Sequence, residues 1–264
     1  MPVSLNQVAR ARREGDPFPA NALAITVDDG YYDFARVFPI FREFGLPVTL
    51  FAVTGFLDRE LWLWPDETNL LFTETPLNSV EIAGHLYNLA TPHTRIQSRD
   101  EVNQRLIEMT NRDRLQTLRN LPRLLHVVIP DTPPADSLPV SWDQLRELTG
   151  DGLDVGAHTR THPILARMDA SELDSEIAAS KQRLEDALDR PVTNFCYPNG
   201  TAADFSADVI HAVQRSGFET AVSTEPGLNS ERADLFSLHR IGVEPELHLP
   251  AFARRIAGFR AKVT

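Results

Sequence analysis

The chain holds one cysteine, Cys196, in 264 residues. No intramolecular disulfide can form, so nothing in the chain requires an oxidising compartment. With no CxxC pair and no adjacent base motif, Cys196 reads as a small buried strand residue rather than a nucleophile. Basic residues are also scarce: 26 Lys and Arg stand against 37 Asp and Glu, a formal net charge of −11. That balance argues against nucleic acid or an anionic membrane surface as the main partner, since both need basic patches, and it leaves neutral sugars open. No apolar run approaches the ~20 residues of a membrane span. The first residues, M-P-V-S-L-N-Q-V-A-R, lack the basic-then-apolar pattern of a signal peptide. The expected location is therefore cytoplasmic for the chain as it stands, and extracytoplasmic if residues upstream of Met1 are missing. There is no internal repeat. What remains, 42% hydrophobic and 24% charged, is the composition of a globular protein with room for one large α/β domain or two small ones.

The organising stretch is Ala24 to Gly30, A-I-T-V-D-D-G. Leu23, Ile25 and Val27 alternate with smaller residues as in a strand that begins near Ala22. Tyr31 to Phe44 carries Phe34, Val37, Phe38 and Phe41 at helical spacing and ends at a capping Gly45. Val48 to Val53, between Pro47 and Gly55, reads as a strand buried on both faces. The alternation then breaks. Residues 55–139 are expected to form a mostly helical insertion packed over the main domain: an aromatic Leu61 to Pro65, a strand or hairpin over Ser79 to Leu89, and one helix from Ser98 to Leu125 opened by a Ser98–Glu101 capping box. The four-proline stretch Pro130 to Pro139 reads as a loop. From Ser141 the strand–helix units resume. Helices are expected over Ser141 to Gly150, from Asp169 to Pro191, over Asp204 to Ser216 and over Leu249 to Phe259. Strands are expected at Leu153 to Ala157, Val192 to Cys196, Phe218 to Val222 and Leu238 to Val243. Repeated units at this spacing mean a parallel sheet, open or closed into a barrel, built from residues 1–54 and 140–264.

Three polar clusters fall at the carboxyl ends of these strands, the face on which α/β folds build active sites. They are Asp28–Asp29, the pair His158 and His162 in A-H-T-R-T-H-P, and Tyr197-Pro198-Asn199-Gly200. Adjacent carboxylates repel, and a metal ion turns that repulsion into an asset. Two imidazoles four residues apart, on one side of a helical turn, with one carboxylate make a divalent-metal site that keeps open positions. Asp29 is the expected third ligand, which leaves Asp28 free as a base.

T-V-D-D-G, H-T-R-T-H-P and F-C-Y-P-N-G resemble the first three motifs of the polysaccharide deacetylases, carbohydrate esterase family four, whose domain is the NodB-homology domain. Ser141 to His158 is also similar to the approach to the family's second motif. The resemblance covers roughly residues 20–55 and 140–260. It implies a distorted (β/α) barrel and a hydrolase that removes N-acetyl groups from an amino-sugar glycan or glycan precursor. By position, Asp28 is implied as the general base, and Asp29, His158 and His162 as ligands of one divalent ion, most often zinc. Such an ion lowers the pKa of bound water and polarises the acetamide carbonyl. The oxyanion would be held by the metal and a backbone N–H of the Tyr197–Asn199 turn.

The chain departs from the family's pattern at three points. Cys196 stands where many members have an arginine, and Asn199 where they have a tyrosine. The late leucine-x-histidine motif that supplies a general acid is missing. The nearest candidate is Ser237 to Val243, S-L-H-R-I-G-V, where strand alternation sends His239 and Arg240 to opposite faces. Arg240 would replace the missing arginine beside Asp28, or His239 the missing acid; Arg240 is preferred. Trp62 and Trp64 share one face if extended and are candidate sugar contacts. Two other readings fit the altered motifs: a carbohydrate-binding protein on a catalytically impaired deacetylase fold, or a hydrolase of other small amides.

Overall fold

Val48–Ala52 is buried along its whole length, as a strand with layers on both faces must be. It is β2 of a six-stranded, all-parallel sheet seen in a computed structural model that describes residues 1–19 and 21–258. The other strands of this sheet are β1 (Ile25–Val27), β5 (Asp154–Ala157), β6 (Asn194–Cys196), β7 (Thr220–Pro226) and β8 (Leu238–Arg240), in the order β1-β2-β5-β6-β7-β8. The sheet curls into a half-barrel ringed by helices. Arg240 on β8 reaches Thr26 on β1, Nη1 to Oγ1 at 3.3 Å, so a side chain bridges the seam between the two edge strands. A single apolar core joins the sheet to helices α2 (Tyr32–Glu43), α7 (Trp142–Gly150), α8 (Ala170–Leu188) and α9 (Ala207–Arg215). Helix α1 (Leu5–Glu14) plugs the amino end of the barrel: Leu5 packs with Phe51, Cys196, Val222 and Leu238, and Asn6 bonds Asp154 and Asn194 at the starts of β5 and β6.

Glycine is required inside this barrel. A Cβ on Gly156 of β5 would lie 2.4 Å from the ring of Phe51, which therefore fills the space a side chain would take. Gly30, directly after the paired aspartates, has φ +93°, a conformation L side chains rarely adopt.

Residues from Trp64 to Ile129 fold around their own apolar cluster, whereas Val53, Phe56, Leu57 and Leu63 belong to the barrel core. Helix α3 (Thr54–Leu57) closes the barrel, then α4 (Trp64–Glu74), the hairpin β3 (Ser79–Ile82) and β4 (His85–Asn88), α5 (Pro92–Glu108) and α6 (Asn111–Leu125) pack together. The hairpin turns at Ala83-Gly84, both with positive φ. The single helix expected over Ser98 to Leu125 is two helices. Thr91 caps α5, accepting from Thr94 N, and Thr110 caps α6, accepting from Asp113 N. Ser98 is buried mid-helix and donates to Asn88 O instead of capping. The two helices present one apolar stripe to the same cluster (Val102 and Leu106, then Leu118, Leu121 and Leu125), so helical spacing continues across the break at Met109. Other boundaries also differ from expectation: β6 starts at Asn194 rather than Val192, and β7 runs Thr220–Pro226 rather than Phe218 to Val222. Ser206 rather than Asp204 opens α9, β8 ends at Arg240, and the last helix, α10, covers Leu249–Ile256; Phe259 lies outside the described residues. Among the described residues no helix is long and apolar enough to cross a membrane.

Candidate metal centre

The turn after β1 carries Asp28 and Asp29 at the carboxyl end of the barrel. Asp29 sits at φ 75° and passes its carbonyl to Val53 N, which ties the turn to the end of β2. The His158–His162 loop follows β5 and is held from α3, where Thr54 N and Gly55 N donate to the carbonyls of Thr159 and Arg160. The loop is not the helical turn the spacing suggested: Thr159 (φ 67°) and His162 (φ 55°) are left-handed, and the two rings still meet at 4.9 Å between centroids. With Asn199 (φ 54°), four strained non-glycine residues therefore cluster around this site, as strained backbone does at functional positions.

Asp29 Oδ1 stands 3.5 Å from His158 Nε2 and 3.6 Å from His162 Nε2. Two donors each about 2.1 Å from one ion at the tetrahedral angle stand about 3.4 Å apart, so these three atoms match the spacing of ligands sharing a divalent ion. The tautomer agrees. His158 Nδ1–H donates to Cys196 O at 2.8 Å, which leaves the Nε2 lone pair facing Asp29. A second grouping of metal-ligand side chains, Asp28, His158 and Cys196, fits less well because its carboxylate is already occupied. Arg240 grips Asp28 with a two-pronged pair, Nη1 to Oδ1 at 2.7 Å and Nη2 to Oδ2 at 2.8 Å, while its Nε donates to Ser223 O. The Cys196 thiol lies 3.5 Å from Asp28 Oδ2, and the Arg240 fork fills the space that this small side chain leaves.

Burial alone would raise both carboxyls. The Arg240 bonds and the His158 charge outweigh it at Asp28, and the two histidines do so at Asp29, so both stay below the usual carboxylate range. Burial opposes charge on His158, but the adjoining Cys196 and Asp29 overcome it and raise this ring well above its ordinary value. Burial and the His158 charge push His162 down to about 4. The Nε2 proton that the two carboxylates favour on His158 is the one that a divalent ion bound there would displace.

Three sequence candidates lie elsewhere. His239 is exposed, with Nδ1 against Gly227, because the neighbouring Arg240 takes the inward face of the strand. Trp64 is buried in the insertion core, starting α4 instead of extending beside Trp62. Tyr197 is fully buried: its hydroxyl donates to Phe236 O, its ring stacks on Phe205 at 4.1 Å, and its N–H donates to Val222 O, so no donor is left for an oxyanion. Asn199 N–H makes no hydrogen bond among the described residues. Trp62 is half-buried in the loop before α4.

Helices α4 and α6 add groups that sequence reasoning missed. Asp66, on the first turn of α4, accepts from the Tyr31 hydroxyl at 2.8 Å. Arg114 of α6 is 2% exposed, has no carboxylate within salt-bridge distance among the described residues, bonds Asn111 Oδ1 at 2.9 Å and bears electrostatically on His162. A signal for Arg114 was present: it occupies an apolar-stripe position of α6, four residues before Leu118 and seven before Leu121.

The model of the family described as "Polysaccharide deacetylase" matches residues 15–221. Among curated proteins, the chain is 27% identical over 118 residues to a putative polysaccharide deacetylase, YxkH, of Bacillus subtilis, covering 45% of this chain and 41% of that one. It is 43% identical over 58 residues to the poly-beta-1,6-N-acetyl-D-glucosamine N-deacetylase of Escherichia coli K12, 22% of this chain and 9% of that one. The matches thus span less than half of either relative. Among solved structures, the Streptococcus pyogenes deacetylase PplD superposes with a TM-score of 0.61 at 17% identity, over 97% of this chain and 79% of that one, and so shares the fold. With a family match over most of its length and the half-barrel found in that structure, the chain belongs to the polysaccharide deacetylase family.

Proposed function

We propose that the protein is a metal-dependent amide hydrolase that removes N-acetyl groups from an amino-sugar glycan or glycan precursor. The observation that carries this reading is the Asp29–His158–His162 triangle, with a second, Arg-bound carboxylate, Asp28, immediately beside it. The short match to the E. coli enzyme makes β-1,6-linked N-acetylglucosamine the first substrate to try.

In this reading Asp29, His158 and His162 hold the ion, zinc by the chemistry of its donors. The ion would supply Lewis acidity toward the acetamide carbonyl and the attacking water. Asp28 takes a proton from that water as it attacks. Arg240 fixes the plane of the Asp28 carboxylate, so the receiving oxygen is in place before substrate arrives. The unpaired Asn199 N–H is the backbone donor offered to the developing oxyanion. Trp62 is the remaining candidate for stacking on a sugar ring.

Acetate release from N-acetylglucosamine oligomers tests the reading. Wild type is expected to release acetate and Asp28→Asn to bind the oligomer without releasing it. Binding without release by wild type would instead favour a carbohydrate-binding protein on this fold.

A further inference from the structure

The loop between His158 and His162 is held in a shape it would not choose. Thr159 and His162 are left-handed, at φ 67° and 55°, and a chain keeps such residues only where its surroundings over-determine them. Part of that restraint comes from α3 and from the loop itself. Thr54 N and Gly55 N donate to the carbonyls of Thr159 and Arg160, and His162 N donates to Thr159 Oγ1 at 3.1 Å. The amides of Arg160 and Thr161, which lie between the two histidines, have no backbone partner among the described residues. One side chain of α8 takes both.

We infer that Glu176 is a positioning residue of the metal centre, whose carboxylate holds the 158–162 loop in its ligating shape before an ion binds. The inference rests on the metal-dependent reading proposed above. Glu176 Oε1 accepts from Arg160 N at 2.9 Å, from Thr161 N, and from Thr161 Oγ1 at 3.0 Å. One oxygen thus gathers donors from two successive residues, and a charged acceptor makes such bonds about twice as strong as neutral ones. The two peptide planes that carry these amides join Thr159 to Thr161. That is the span that sets His158 Nε2 and His162 Nε2 against the same oxygen of Asp29. The acceptor is itself anchored. Glu176 is half-buried, and Leu173 and Ile177 beside it on α8 are packed in the barrel core. Glu176 makes no hydrogen bond to Asp29, His158 or His162 among the described residues, so it acts through the loop backbone. A loop already shaped spares the ion the cost of ordering it. With the carboxylate removed, that cost falls on metal binding and lowers the affinity.

The test is zinc affinity, read by competition with a chromophoric chelator, together with the visible spectrum of the cobalt-substituted protein, which reports ligand geometry. Glu176→Ala is expected to bind zinc about 10–100-fold more weakly than wild type, the scale for partners that orient metal ligands, and to alter the cobalt spectrum. Glu176→Gln keeps an oxygen of the same reach for the same donors. It is expected to recover most of the affinity and the wild-type spectrum. Thr161→Val removes only the hydroxyl donor and is expected to fall between wild type and Glu176→Ala. Glu172→Ala, which removes an exposed acid of the same helix, is expected to match wild type. Wild-type zinc affinity in Glu176→Ala would overturn the inference. So would a loss as large in Glu176→Gln or in Glu172→Ala, because the contribution would then be one of charge and not of loop shape. If Glu176→Ala does not fold, unchanged zinc affinity in Thr161→Val overturns it. A wild type that binds neither zinc nor cobalt removes the metal reading itself, a result distinct from all of these.

Discussion

Asp28 and Arg240 lie 212 positions apart in the chain and meet through two bonds of 2.7 and 2.8 Å. A guanidinium fork fixes a carboxylate in plane and angle, which a lysine ammonium cannot do. Arg240→Lys is therefore expected to keep zinc at wild-type level while kcat for acetate release falls about 10–100-fold, the scale of a slightly misplaced catalytic group. Unchanged kcat would contradict a positioning role. Strand alternation allowed one inward residue between His239 and Arg240, with Arg240 preferred, and the curl that brings β8 to β1 is what sets Arg240 against Thr26 and Asp28. The left-handed conformations of Asp29, Thr159 and His162 were not legible at all, because neighbouring contacts rather than local propensity impose them.

At the scale of elements, patterning located the strands and helices of the barrel, with capping residues marking several starts. Ser141 and Gln144 form the reciprocal capping box of α7, so Ser141→Ala is expected to lower stability by about 1 kcal/mol in urea denaturation. Barrel closure adds a constraint that the sequence pattern does not show. Gly156→Ala would drive a methyl group into the Phe51 ring and is expected to cost about 1–3 kcal/mol. A wild-type melting curve for that variant would mean that Phe51 has room to move. The break in alternation after β2 was legible, but the division of Ser98 to Leu125 between two helices was not, because α5 and α6 share one apolar stripe. The Tyr31–Asp66 bond and the influence of Arg114 on His162 were hidden for a related reason: they arise only once α4 and α6 are folded.

For the whole molecule, the buried acids at the start of α4 give a pH signature. Burial, with the Asp66 charge, pushes Glu67 up from an ordinary 4.5 to about 7. A carboxyl raised on folding binds its proton more tightly in the folded state, so its contribution to stability falls as pH rises from about 4.5 to about 7. Glu67→Gln is expected to flatten that fall and to be more stable than wild type near neutral pH by on the order of 1–3 kcal/mol. A variant with wild-type pH dependence would place Glu67 in water.

The proposed hydrolysis depends on Asp29, His158 and His162 together holding one divalent ion. Elemental analysis of zinc-equilibrated, desalted protein tests it most directly. About one equivalent is expected in wild type and in Asp28→Asn, with near-complete loss in His158→Ala. No zinc retained by wild type, or an equal amount retained by His158→Ala, would contradict the account.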